Sequence, residues 1–155
     1  MADCLFSKIV AGEIPAFKVY EDDETLAFLD INPAAGGHTL VIPKKHSQDI
    51  FDIEERYATA VAATVKRIAQ KIRSELGADV SVLQNNGRSA GQAIAHMYAH
   101  VIPRKPDDKI VLAHLGAPAS KEDLAAMQEK IQLSSTVPVD YQSRIKSALS
   151  QWDEL

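Results

Sequence analysis

Three polar rings stand two residues apart in the segment His96-Met97-Tyr98-Ala99-His100, which runs directly into Val101-Ile102-Pro103-Arg104. Imidazole and phenol rings can donate hydrogen bonds to an anion, carry a proton to or from a reacting atom, and attack an electrophile. In an extended chain alternate side chains share a face. This spacing therefore places His96, Tyr98 and His100 on one side and Met97, Ala99 and Val101 on the other. A helix would scatter them. The outer histidines are about 13 Å apart along such a strand, so a small group held between them would react at the middle ring. That ring is a tyrosine.

The elements that must position these rings follow from pattern and punctuation. Phe17 to Tyr20 and Thr25 to Leu29 are β-prone runs separated by Glu21-Asp22-Asp23-Glu24, which reads as a hairpin. After Asn32-Pro33-Ala34-Ala35-Gly36-Gly37, a third strand runs from His38 to Ile42 and stops at Pro43. Asp52 with Glu55 makes a helix-start box, and Ile53, Tyr57, Val61, Val65, Ile68, Ile72 and Leu76 then repeat at helical spacing up to Gly77. Val80 to Leu83 is a fourth strand, Gln84 to Gly91 a polar glycine-bearing loop, and His96 to Ile102 the fifth strand. The stretch from Ile110 to Leu115 fits a strand or extended coil equally. Ser120 with Asp123 opens a helix carrying Leu124, Met127 and Ile131, and a second helix after Pro138 carries Tyr141, Ile145, Leu149 and Trp152. Both could close over the core or pack on a partner subunit.

With 155 residues, 46% of them hydrophobic, the chain can bury a core of its own, and the length suits one domain. Residues 1–155 are expected to form it, with 105–155 as an extension holding the last two helices. The net charge of -4 with mixed signs offers no basic stripe for duplex nucleic acid. Cys4 is the only cysteine, so no intrachain disulfide can form. The absence of a membrane-length apolar run or a charged-then-apolar start makes a cytoplasmic protein the expectation.

Several ordered blocks carry a resemblance. Cys4-Leu5-Phe6-Ser7-Lys8-Ile9 is followed by Glu13-Ile14-Pro15, Phe28-Leu29-Asp30-Ile31-Asn32-Pro33 and Gly37-His38-Thr39-Leu40-Val41-Ile42-Pro43-Lys44-Lys45-His46. Asn85, Gly91-Gln92 and His96 to Arg104 then complete the set. Over roughly its first two thirds the chain resembles the histidine-triad family. The resemblance implies an α+β fold: an antiparallel sheet of about five strands with a central helix and C-terminal helices. It also implies a homodimer and a bound nucleotide whose α-phosphate lies at the triad, with hydrolysis or transfer of nucleotidyl groups. Carried over by residue, it puts the outer triad histidines at His96 and His100, the nucleophile position at Tyr98 and a fourth active-site histidine at His38. Asp30 would accept the ribose hydroxyls; Phe6, Ile9, Ile14, Phe28 and Ile31 would form the base slot; Asn85 and Gln92 would line the phosphate. Ala93 stands where some relatives carry serine. The implied ligand is a purine nucleotide or a conjugate of a nucleoside monophosphate, with no cofactor.

Displacement at phosphorus through a covalent intermediate needs a nucleophile available near pH 7, donors for the non-bridging oxygens and a proton for the leaving group. An ordinary imidazole is mostly neutral at pH 7, whereas an ordinary phenol is only about one part in a thousand ionised, a shortfall of roughly 4 kcal/mol. A nucleotidyl-tyrosine would also release its nucleotide more slowly than a nucleotidyl-imidazolium. The expectation is a nucleotidyl hydrolase or transferase, acting on nucleoside phosphoramidates or dinucleoside polyphosphates, whose turnover Tyr98 weakens more than its binding. The alternative is a non-catalytic nucleotide sensor or protein-interaction module.

Plainer readings stand beside these. Tyr98 is also what a packed strand aromatic looks like, and Asp30 before Asn-Pro is a common turn cap. The histidines could be structural, each nitrogen bonded to backbone. Phe6, Ile9, Ile14, Phe28 and Ile31 are of types that usually build core. Some relatives hold zinc with two N-terminal cysteines and two histidines matching His46 and His96. Here the pair reads Cys4-x-x-Ser7, and a serine hydroxyl is a poor fourth ligand, so no metal is expected.

Overall fold

The computed structural model describes residues 4–112, 118–131 and 133. The chain divides into two compact units, Met1–Val111 and Leu112–Leu155.

In the first unit a short helix, α1 (Leu5–Val10), precedes a hairpin of β1 (Lys18–Glu21) and β2 (Thr25–Leu29). Strand β3 (Thr39–Pro43), the long helix α2 (Glu55–Leu76), β4 (Asp79–Leu83) and β5 (Ala99–Arg104) follow. The five strands form one sheet in the order β1-β2-β3-β5-β4, every pair antiparallel. The α+β expectation holds.

Both faces of the sheet are covered, which is why β2 and β3 read as nearly unbroken apolar runs. On one face Ala27, Val41, Met97, Ala99 and Val101 pack with Val61, Ile68 and Ile72 of α2. On the other, Leu26, Phe28, Leu40, Ile42 and Tyr98 pack with Phe6 and Ile9 of α1. Thr64 of α2 lies on the buried stripe beside Val61 and Ile68, where its hydroxyl bonds that of Thr25 at 2.8 Å, so neither polar group is left unpaired.

The structure departs from the sequence pattern at three places. Helix α1 was not anticipated: at six residues it is too short to show a period, and it is held by the burial of Phe6 and Ile9. Helix α2 begins at Glu55 after Glu54, with no side-chain cap, because the Asp52 carboxylate is taken by the Gln48 N–H at 3.0 Å. Strand β5 begins at Ala99, since the backbone N–H groups of His96 and Met97 donate instead to Ile94 and Ser47 carbonyls.

Residues 110–112 form no regular element. In the second unit α3 (Lys121–Ile131) starts as expected, with the Asp123 N–H donating to Ser120 Oγ at 3.1 Å. The helix expected after Pro138 lies outside the described residues.

Candidate functional site

The turn between β2 and β3 brings His38 to the sheet. Gly37 adopts φ 91° there, a left-handed conformation that favours glycine, and an added Cβ would lie 2.9 Å from Leu76 Cδ1 and push that side chain aside. The turn closes through His38 N–H to Ala35 O and Asp30 N–H to His38 O, 3.0 and 2.9 Å respectively. Its Ala34 N–H points inward and donates to His38 Nδ1 at 3.0 Å. The other nitrogen of His38, Nε2, lies 2.9 Å from Nδ1 of His100 on β5 and 3.7 Å from an Asp30 carboxylate oxygen.

Beside this cluster opens a cavity of about 580 Å³, a size that suits a small organic ligand. Phe6, Ile9, Ile14, Phe28, Asp30, Ile31, Tyr98 and His100 all line it. Phe6 meets the rings of Phe28 and Tyr98 edge-on at 5.5 and 5.3 Å, giving the cavity an aromatic wall. Tyr98 is 6% exposed, and its ring lies 5.0 Å from that of His100. Among the described residues its hydroxyl has no hydrogen-bond partner, and no sealed side-chain polar atom is unpaired, so the hydroxyl opens into the cavity. The walls are apolar except for Asp30, Asn32, Tyr98 and His100. Sequence reasoning missed Leu40 and Ile94 as wall residues; the signal for Leu40 was its place two residues after His38 on the same strand face.

Four other expected site residues lie outside the lining. Gln92 has its amide fully engaged, accepting from Gly87 N–H at 2.7 Å and donating to Gln48 O and Ile94 O at 2.6 and 2.9 Å. It ties the connection between β4 and β5 to the segment between β3 and α2. Asn85 sits in the same loop and His38 behind His100. His96 is completely buried; its ring meets Phe6 at 5.8 Å, on the same sheet face as Tyr98, but both nitrogens point away from the cavity. Asp30 serves the turn and the cavity together: one carboxylate oxygen accepts Asn32 N–H at 2.8 Å while the residue lines the wall.

His96 belongs to a second cluster. Its Nε2 donates to Pro43 O at 2.9 Å, which leaves Nδ1 with a lone pair. Cys4 Sγ lies 3.4 Å and His46 Nδ1 3.3 Å from that Nδ1, with Ser7 Oγ 3.3 Å from His46 Nδ1. A tetrahedral zinc with ordinary bond lengths needs N···N and S···N separations of about 3.4 and 3.6 Å. Three donors therefore fit. Ser7 supplies only a hydroxyl where a closed structural site needs a fourth sulfur or nitrogen.

Burial lowers the pKa of His38, against a smaller opposing pull from Asp30. Burial does the same to His100, helped by neighbouring His38, and to His96, against the bond to the Pro43 carbonyl. All three rings are held toward the neutral form.

The family model for the HIT domain matches residues 11–107. An adenosine 5'-monophosphoramidase of Candida albicans is 37% identical over 139 residues, spanning 84% of this chain and 90% of that protein. The crystal structure of SMU.412c from Streptococcus mutans superposes with TM-score 0.81 at 40% identity, covering 85% of each chain. A zinc-bound histidine triad family protein from Mycobacterium smegmatis gives TM-score 0.69 at 36% identity, over 83% of this chain and 98% of that one. The chain belongs to the HIT family. No helix among the described residues is long and apolar enough to cross a membrane.

Proposed function

We propose that the chain binds a purine nucleotide, or a conjugate of a nucleoside monophosphate, and that its nucleotidyl hydrolase or transferase activity is weakened by Tyr98 at the nucleophile position. The observation that carries this reading is the Tyr98 hydroxyl, open to the cavity between an aromatic wall and His100. Phe6, Ile9, Ile14, Phe28 and Ile31 take the base, Asp30 the ribose hydroxyls, and His100 and Tyr98 the α-phosphoryl oxygens. His38 supports His100 from behind. His96 acts by holding the start of β5, while Asn85 and Gln92 shape the loop that flanks the phosphate. The monophosphoramidase activity named for the Candida relative supports phosphoramidates as the substrate class. No resident zinc is needed, since Ser7 leaves its cluster one strong donor short. A homodimer is what the resemblance implies, and a cytoplasmic location stays the expectation of the sequence.

A non-catalytic nucleotide sensor is the second reading, favoured by one observation: among the described residues nothing within hydrogen-bond reach takes the proton of the Tyr98 hydroxyl. Titration with AMP, paired with a turnover assay on a nucleoside phosphoramidate for the unaltered chain and Tyr98→His, tests both readings. AMP binding with slow turnover that the histidine variant accelerates is expected. Equal, high rates for the two proteins would overturn the weakening, and no turnover by either would leave the sensor. Failure to bind AMP would end both.

A further inference from the structure

The Asp30–His38–His100 cluster contains a constraint that fixes where its hydrogens lie. A backbone amide can only donate, so the Ala34 N–H at 3.0 Å requires a lone pair on His38 Nδ1. A neutral imidazole carries one N–H, which for His38 must then be on Nε2. That nitrogen is 2.9 Å from His100 Nδ1 and 3.7 Å from Asp30, so the hydrogen is given to His100. His100 Nδ1 is thereby an acceptor, and its own N–H is on Nε2. Among the described residues Nε2 has no protein partner, and because no sealed polar atom is left unpaired it faces the cavity that His100 lines.

We propose that the Ala34 amide, acting through His38, is the positioning group that fixes His100 as a hydrogen-bond donor into the cavity, so that the site receives an anionic phosphoryl group through donors alone. The inference rests on the reading of the cavity as a nucleotide site and adds to it the direction of every hydrogen bond behind the phosphate. Three consequences follow. His100 cannot take the Tyr98 proton, because its cavity-facing nitrogen already carries one. Tyr98 and His100 together present two donors, O–H and N–H, on adjoining rings 5.0 Å apart. The cluster is not a cation site, although its three ligand atoms lie within 4.8 Å of one another, since the nitrogen that His38 turns toward the others holds a hydrogen instead of a lone pair.

The test reads the hydrogens directly. Long-range proton–nitrogen correlation spectra of the uniformly labelled chain at neutral pH should show His38 and His100 both protonated at Nε2 and unprotonated at Nδ1. Either ring found as the Nδ1–H form overturns the proposal. Ala34→Pro removes the amide hydrogen at its source, and calorimetric titration should then show AMP binding weakened about tenfold, the order expected for one misdirected charge-assisted hydrogen bond. Adenosine, which has no phosphate, should bind as before. Parallel losses for AMP and adenosine would mean that Ala34 serves only the shape of the turn. Should the proline variant fail to fold, the spectrum of the unaltered chain decides. The nucleotide reading fails separately: the expected tautomers with no AMP binding by the unaltered chain would end it and the role given to the donor together, whereas the wrong tautomers with AMP still bound would end only the relay.

Discussion

Two histidine pairs on the same face of the sheet have the same ring separation, though one is tilted at 47° and the other edge-on at 83°, and opposite chemistry. His46 and His96 have ring centroids 5.1 Å apart, as do His38 and His100. The difference is the backbone group behind each pair. A carbonyl, Pro43 O, meets His96 and leaves a lone pair facing Cys4 and His46. An amide, Ala34 N–H, meets His38 and leaves a hydrogen facing His100. The first arrangement suits a cation and the second an anion. One backbone dipole, reversed, decides which kind of ligand two imidazoles can receive.

The largest expected effect lies on the anion side. Tyr98→His puts an ordinary imidazole where the phenol stands, and phosphoramidate turnover should rise about a thousandfold, the equivalent of roughly 4 kcal/mol. Next comes the contrast in stability. His96→Ala empties a sealed site and unpairs the Pro43 carbonyl, so urea denaturation should show a loss of about 3 kcal/mol. His100→Ala, on the cavity wall, should lose less than half as much, and equal losses would erase the distinction between a structural and a ligand-facing ring. The cation side is sharpened by Ser7→Cys, which completes two sulfurs and two nitrogens. Metal analysis should find about one zinc per chain, held at least a hundredfold more tightly than by the unaltered protein.

The last effect is on pH. His38 and His100 are held neutral by burial when folded, so below their unfolded pKa near 6.5 the unfolded chain binds more protons than the folded one. Stability from this pair is complete above that pH and falls as pH drops, by at most about 1.4 kcal/mol per pH unit per histidine. Denaturation at pH 7 and pH 5 measures it, and a chain more stable at pH 5 would contradict the neutral pair.

The sheet and α2 could be read from the sequence because short β-prone runs bounded by turn residues and a period-3.6 apolar repeat are local signals, and His96, Tyr98 and His100 do share a face. Depth could not be read. His96 is sealed while Tyr98 opens to the cavity because Phe6, ninety residues earlier, covers the first and walls the second. Gln92 illustrates the same limit: its type suits a phosphate contact, yet three backbone groups from two segments claim its amide. Hydrogen placement on His38 was equally invisible, since it depends on where the amide of an alanine points.

Helix α1 lies before residue 11, where the match to the family model begins, yet it supplies Phe6 and Ile9 to the cavity, and Cys4 and Ser7 flank or belong to it. Six residues thus serve as a hinge pin common to a ligand wall and a histidine cage. A fusion, cleavage or binding event that lifts this turn off the sheet would open both at once, making base affinity a gauge of whether the amino-terminal segment is seated.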